Sequence, residues 1–353
     1  MNISRTSHIF WAVCFLLLAA AALHLGYIDH SGAMGVLLVG NVMSASGTRI
    51  IDPILTNVAQ GYQNSQLVGL SLFPPVPVQT TGGQIIEFGR ESFRLYNARR
   101  APGGSTRRID FGYLGKPFTL VQDSLEGKVP REYLRDAKMI PGIDLGSRAV
   151  VTVMKSLQLT LEYDQAQLAT NAANYDANHK VALSGTSKWS TSTGNPLQDV
   201  DAGREAIRAA VGIYPNTMLM SAQAFNAAKN NPNVIARFQY NSSVPVDSTS
   251  ITAQMMAGLF NVDQVIVGKA IYVDDLSNSY DIWGNNVVLA FVPDKPSSVE
   301  EPSYGYTYTM EGNPMVEPTY YENNEKSWIY PVNYERVPVL SGITSGYLIQ
   351  TPA

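Results

Sequence analysis

Catalysis needs side chains that move protons, hold metals or attack carbon, and the main body of this chain carries few of them. Cys14 is the single cysteine, and three of the four histidines (His8, His24 and His30) fall within the first thirty residues. Beyond them only His179 remains. A disulfide framework, a Cys/His zinc site and a Cys-His relay each need partners that the body lacks, so any relay would have to use His179 alone. His179 lies in "NYDANHKVALSG", a polar stretch that reads as a helix end, where a solvated imidazole is expected.

The remaining signals for chemistry are equally thin. No GxxxxGK[ST], no GxGxxG after a strand, no GxSxG and no HExxH occurs in the chain. Carboxylates stand side by side at Asp274-Asp275 and Glu300-Glu301, but adjacent acids in loops read as solvated turn residues. Without histidine support, an acid pair could work only if distant segments brought it together. The expectation is therefore no catalytic, cofactor-binding or metal-binding residue, no cofactor and no small-molecule substrate; a protein that is not an enzyme.

The composition is that of an ordinary globular protein with few charges. The chain has 353 residues, 45% hydrophobic and 15% charged, with a net charge of −4. That is enough to bury a large core in two or three domains. Mild acidity gives no global footprint for nucleic-acid binding, so any basic site has to be local. One such cluster exists: Arg90, Arg94, Arg99, Arg100, Arg107 and Arg108 crowd a single stretch. A basic β-ribbon can enter a nucleic-acid groove, or its guanidiniums can dock bidentately on carboxylates of an adjacent subunit. Aromatics and glutamates interleave these arginines, which favours the second.

The elements that would position these groups follow from pattern. "IFWAVCFLLLAAAALHLGYI" reads as a signal-peptide core or a marginal membrane span, while "MSASGTRIIDPILTNVAQGY" from Met43 looks like a fresh N-terminus. Residues 1–42 are thus a hydrophobic leader or a mis-assigned start. The segment "TRIIDPILTNVAQGYQNSQLVG" lacks a full amphipathic face and suits an arm that packs outside itself. In "LFPPVPV", Pro74, Pro75 and Pro77 force an extended passage that is neither helix interior nor central strand. It reads as a rigid junction holding the arm away from the body. "GGQIIEFGRESFRLYNARR" and "RRIDFGYLGKPFTLVQDSLEG", joined by "APGGST", predict a long two-stranded hairpin that needs a neighbouring surface.

Next comes a helix from Asp144 as N-cap to Tyr175, with Ala149, Val150, Val153, Leu157, Leu161 and Leu168 along one side. At 1.5 Å per residue it would be a strut of about 45 Å. From Asp199, helix and strand alternate: "DVDAGREAIRAAV" and "ITAQMMAGLFNV" as helices, "AQAFNAAKNNPNVIARF" as one helix, "NTMLMSA", "DQVIVGKAIYV" and "NNVVLAFVP" as strands. This is one α/β domain with its own core. The stretch after Pro296 is tyrosine-rich and alternating, as in antiparallel strands closing a second sheet.

The order of "YPNTMLMSAQAFNAAKNNPNVIARF", "MMAGLFNVDQVIVGKAIYVDD", "WGNNVVLAFVP" and "SYGYTYTMEGNP", leading to "VLSGITSGYLI", resembles the major capsid (coat) proteins of tailed bacteriophages, whose fold is shared with encapsulin shells. The resemblance covers roughly residues 44–351 and rests on order and spacing. It implies an α+β fold with an N-terminal arm, an extended β-hairpin loop, a long spine helix, a peripheral sheet and an axial α/β domain. Carried over, the arm and proline-rich junction are residues 43–81, the extended loop 82–128, the peripheral domain with its spine helix 129–198, the axial domain 199–295 and the returning peripheral strands 296–353.

The function so implied is a self-assembling virion shell subunit, made in the host cytoplasm and forming hexamers and pentamers of an icosahedral capsid. Its implied partners are copies of itself, scaffolding and portal proteins, and packaged double-stranded DNA held non-specifically. The alternative is an encapsulin-like compartment enclosing a cargo enzyme. Arg99, Arg100, Arg107 and Arg108 are the candidate intersubunit contacts, and Pro74, Pro75 and Pro77 the arm junction. Some relatives crosslink through lysine and asparagine; Lys116 is a weak match, so a non-covalent shell is expected.

Overall fold

The computed structural model describes residues 51–86, 99, 115–137, 139, 144–240, 250–293 and 303–353. Within residues 53–353 the fold is α+β, with two main sheets that share one long helix.

That helix, α3 once α1 (Pro53–Gly61) and α2 (Arg131–Ala137) are counted, runs from Leu145 to Thr170. Asp144 caps it: its carboxylate accepts from the Gly146 N–H at 3.0 Å and from the Ser147 hydroxyl at 2.5 Å. The buried residues Val150, Val153, Met154, Leu157, Leu161, Gln165, Ala166 and Ala169 recur at helical spacing along one stripe. The strut is shorter than the sequence suggests. Asn171 turns to extended backbone and its side chain accepts from the Ala173 N–H at 2.9 Å, which stops the helix before Tyr175.

The first sheet has the order β1-β11-β14-β12, with β4 and β13 also paired to β14. Its strands are β1 (Pro75–Val78), β4 (Val121–Pro130), β11 (Gly305–Met310), β12 (Met315–Val316), β13 (Tyr320–Glu322) and β14 (Ser327–Leu340). The proline run is extended, as its residues demand, but it is no free rod: β1 is an edge strand running parallel to β11. The Thr307 N–H donates to the Pro74 carbonyl, and the Glu311 N–H to the Val78 carbonyl. Even-numbered residues of β1 therefore face β11, so Pro75 and Pro77 remove the two donors that would face outward.

The expected detached arm is also corrected from Pro53 onward. Ala59 of α1 is buried with Val150, Val153 and Leu157 of the chain's own α3, and the Thr56 hydroxyl accepts from the Val316 N–H at 3.0 Å. The long ribbon is modified as well. β2 (Gly82–Ile86) and β3 (Gly115–Thr119) pair antiparallel. After Leu120, however, the chain changes partner and β4 pairs along ten residues of β14.

The second sheet has the order β5-β15-β10-β6-β7, from β5 (Lys180–Ala182), β6 (Thr217–Ser221), β7 (Gln264–Gly268), β10 (Asn286–Ala290) and β15 (Gly346–Gln350). Its side chains alternate between two cores. Met218, Met220, Val287, Leu289, Tyr347 and Ile349 pack with α4 (Pro196–Val211), α5 (Ala222–Asn230), α6 (Pro232–Tyr240) and α7 (Ala253–Phe260). Leu219, Val288, Ala290 and Leu348 face the other way, toward Ala166 and Ala169 of α3. Both faces are covered, which is why these strands read as near-continuous apolar runs.

Two predicted elements divide. The single helix expected over residues 222–238 breaks at Asn231-Pro232, where Asn231 is extended and its side chain accepts from the Asn233 N–H. The strand expected over residues 263–273 splits into β7 and β8 (Ile271–Val273), and β8 pairs only with β9 (Ser279–Asp281) as a separate hairpin.

Candidate assembly interface

The two sheets are tied together by a buried polar junction on α3. Glu162 is 2% exposed. Its carboxylate accepts from the Val68 N–H at 3.0 Å, the Gly69 N–H at 2.7 Å and the Trp283 indole N–H at 2.7 Å. Burial pushes this carboxyl above the usual glutamate range, against the pull of those three donors. One turn on, the Gln165 amide donates to the Thr307 hydroxyl at 2.8 Å, and that hydroxyl donates to the Phe73 carbonyl at 3.0 Å. The residues leading into β1 are thus held by α3 and β11 together, with Leu72 and Phe73 fully buried. Gly69 is fixed by this junction, since a Cβ there would lie 2.1 Å from Gln165 Oε1 and 2.8 Å from Glu162 Oε2.

Other buried polar groups are also structural. Arg336 of β14 donates to Asp123 Oδ2 at 3.4 Å and to the Leu157 carbonyl, and its guanidinium lies 4.2 Å from the Tyr334 ring centroid. The hydroxyls of Tyr175 and Tyr304 meet at 2.5 Å, and burial pushes both phenols above their ordinary value. His179 is the clearest correction at the level of a single residue. It is 2% exposed, not solvated, and its Nδ1 lies 2.7 Å from Asp176 Oδ1. No nucleophile stands beside it in the hydrogen bonds that the described residues form. Nor do the described residues hold a cluster of histidine, cysteine and carboxylate side chains of metal-site size.

The structure places the sequence-predicted site residues unevenly. Pro74, Pro75 and Pro77 lie at the edge of the first sheet, next to the Glu162 junction. Arg99 is exposed. Arg100, Arg107 and Arg108 lie outside the described residues, as do Arg90, Arg94, Glu300, Glu301 and residues 1–42. Asp274 is a turn residue whose carboxylate accepts from the Leu276 and Asn278 N–H groups. Sequence reasoning missed Glu162 and Gln165. The signal was there: two polar residues on the apolar stripe of a long helix.

Comparison with known proteins agrees with this geometry. Residues 153–329 match the family "Phage major capsid protein E". The major capsid protein of Burkholderia phage BcepMu is 37% identical over 308 residues, 86% of this chain and 97% of its own. That of Pseudomonas phage JBD67 is 22% identical over 62% of this chain and 69% of its own. Among solved structures, a phage-related protein from Bordetella bronchiseptica RB50 superposes with a TM-score of 0.72 at 45% identity, covering 86% of this chain and 98% of the other. The capsid of cyanophage P-SCSP1u, at 9% identity and a TM-score of 0.52 over 79% and 86% of the two chains, shares the fold. With α3 as its strut and two sheets on either side, this chain belongs to the phage major capsid protein E family: it is a structural capsid protein of a tailed-phage virion, not an enzyme.

Proposed function

We propose that copies of this chain form hexamers and pentamers that close as an icosahedral shell, with scaffolding and portal proteins as assembly partners and double-stranded DNA enclosed without sequence-specific contacts. The observation that carries this reading is 37% identity to a phage major capsid protein over 97% of that protein's length. Closed point-group assembly asks only for large complementary surfaces and symmetry. A net charge of −4 suits an enclosed genome held by geometry rather than by a basic binding surface.

Within this reading, the axial domain (199–295) contributes β6, β7 and β10 to the helix-covered five-stranded sheet, and β5 and β15 complete it from the flanking segments. The peripheral domain (129–198 and 296–353) contributes α3 and strands β11–β14 of the six-stranded sheet, which β1 and β4 join from the arm and extended-loop segments. β2 and β3 are the base of the extended loop (82–128), whose arginines Arg99, Arg100, Arg107 and Arg108 dock on carboxylates of a neighbouring copy. Pro74, Pro75 and Pro77 form the junction of the arm (43–81), anchored in the sheet edge. The test is charge reversal of all four arginines to glutamate in the full chain. Shell yield falls while the unassembled subunit keeps its urea midpoint; unchanged yield removes the arginines from the interface.

A further inference from the structure

The β8–β9 hairpin is built like a plug. Among the described residues its two strands pair only with each other, and an isolated ribbon of three-residue strands is marginal in water. Its base is nonetheless fixed: the Tyr272 ring packs edge-on to Tyr163 of α3 at 5.0 Å and stacks on Tyr280 at 5.5 Å. The tip is fixed as well. Asp274 accepts from the Leu276 N–H, the Asn278 N–H and the Asn278 side-chain amide, and Ser277 is held at φ +64°. A non-glycine residue at positive φ is strained, and such strain is maintained where a loop's conformation matters. The hairpin exposes three aliphatic side chains, Leu276 in the turn at 81% and Val273 and Ile271 of β8 at 59% and 52%. Beside them Asp275 makes no hydrogen bond or ion pair among the described residues.

Elsewhere on the chain lies a matching socket. Between β4, α2 and the first half of α3 there is a groove of about 540 Å³, with Leu125, Val129, Tyr133 and Val153 among its lining residues. Its charged rim is Glu126, Lys128 and Arg148. Glu126 accepts from the Tyr320 hydroxyl at 3.1 Å, and Lys128 is paired with Glu325 at 2.5 Å. The Arg148 guanidinium has no carboxylate partner among the described residues, and Glu126 is held there only by a neutral phenol, so the rim carries one uncompensated charge of each sign, the positive one on α3.

We propose that the β8–β9 tip of one copy inserts Leu276 into the β4–α3 groove of a second copy and sets Asp275 against Arg148. The exposed Leu276 meets an apolar floor, and the acid beside it meets the unpaired base of the other copy. Because plug and socket are different patches, the contact is heterologous, the kind that repeats around a ring. The pre-formed turn lowers the ordering cost of docking. The inference rests on the reading that copies of this chain assemble into a shell.

The test is a charge exchange in the full chain. Asp275→Arg and Arg148→Asp each cut shell yield about tenfold, and the double variant restores it to within about twofold of wild type, tenfold being 1.4 kcal/mol. Neither side chain has a partner among the described residues, so the urea midpoint of the subunit is expected to stay unchanged in all three variants. A second probe places Leu276→Cys with Thr152→Cys in a Cys14→Ser background, and oxidation gives an intermolecular ladder that neither single variant gives. Normal shells from the single charge variants, or a disulfide confined to one chain, overturn the contact and leave the shell reading standing. A wild-type chain that stays monomeric overturns both.

Discussion

The Trp283 indole N–H donates to the Glu162 carboxylate at 2.7 Å, and the same carboxylate holds the backbone N–H groups of Val68 and Gly69. One buried side chain thereby binds the helix shared by the two sheets to the turn before β10 and to the residues entering β1. Glu162→Ala leaves three donors buried without an acceptor, each worth roughly 1–3 kcal/mol if nothing replaces it. The expected loss in urea unfolding of the unassembled subunit is at the upper end of that range, with Glu162→Gln smaller because one acceptor oxygen survives. A Glu162→Ala midpoint equal to wild type would show that the junction contributes nothing.

Acidity should act on the same residue with a defined sign. Burial raises the folded-state value of the Glu162 carboxyl above the ordinary 4.5, so the folded chain binds this proton more tightly than the unfolded one. The group's contribution is fully present below 4.5 and is lost as pH rises through the higher folded value. Wild type should therefore gain stability relative to Glu162→Gln between pH 7 and about pH 4.5, by no more than about 1.4 kcal/mol per pH unit. Asp144 works in the opposite sense: the Ser147 hydroxyl bond lowers its carboxyl below 3.8, giving stability that is lost as pH falls through that lower value. Parallel pH curves for wild type and Glu162→Gln would contradict the assignment.

Gly69→Ala tests the crowding at the junction independently of charge. Its Cβ would fall within 3 Å of the side chains of both Glu162 and Gln165, which are themselves buried and hydrogen-bonded. Overpacking of this kind costs about 1–3 kcal/mol. A variant as stable as wild type would mean that the two side chains can withdraw freely.

The outward face of β1 lacks the donors that proline removes. Pro75→Thr with Pro77→Thr restores two N–H groups to a free sheet edge, which is a template for pairing with another chain. Unassembled subunits should then aggregate faster in light scattering, while the urea midpoint moves by less than about 0.5 kcal/mol. Aggregation at the wild-type rate would remove edge protection as the role of these prolines.

A shell held by non-covalent contacts should dissolve completely in hot detergent. Purified particles are expected to run as a single band at the mass of one subunit, Lys116 notwithstanding. A ladder of multiples on the gel would reveal covalent links.

Much of this architecture is legible in the sequence because its signals are local. Asp144 and the spacing from Val150 to Leu161 announce α3, and the apolar runs at Thr217–Ser221 and Asn286–Ala290 announce strands covered on both faces. What escapes is set by distant contacts. That β4 abandons the ribbon for β14 depends on a strand two hundred residues later in the chain. His179 lies in a polar stretch yet is buried, because the chain there joins the second sheet, its carbonyl accepting from the Leu348 N–H of β15. The proline run is readable as extended, but its place at a sheet edge is decided by Thr307 and Glu311. Glu162 shows the intermediate case: a charged residue on an apolar stripe signals a partner, and only the fold supplies Trp283.

The most direct test of the central claim is to express the full chain in bacterial cytoplasm, alone and with a scaffold candidate, and to examine the soluble fraction by sedimentation and negative-stain electron microscopy. Closed shells or capsomer rings are the predicted result. A folded monomer that never assembles under either condition would contradict it.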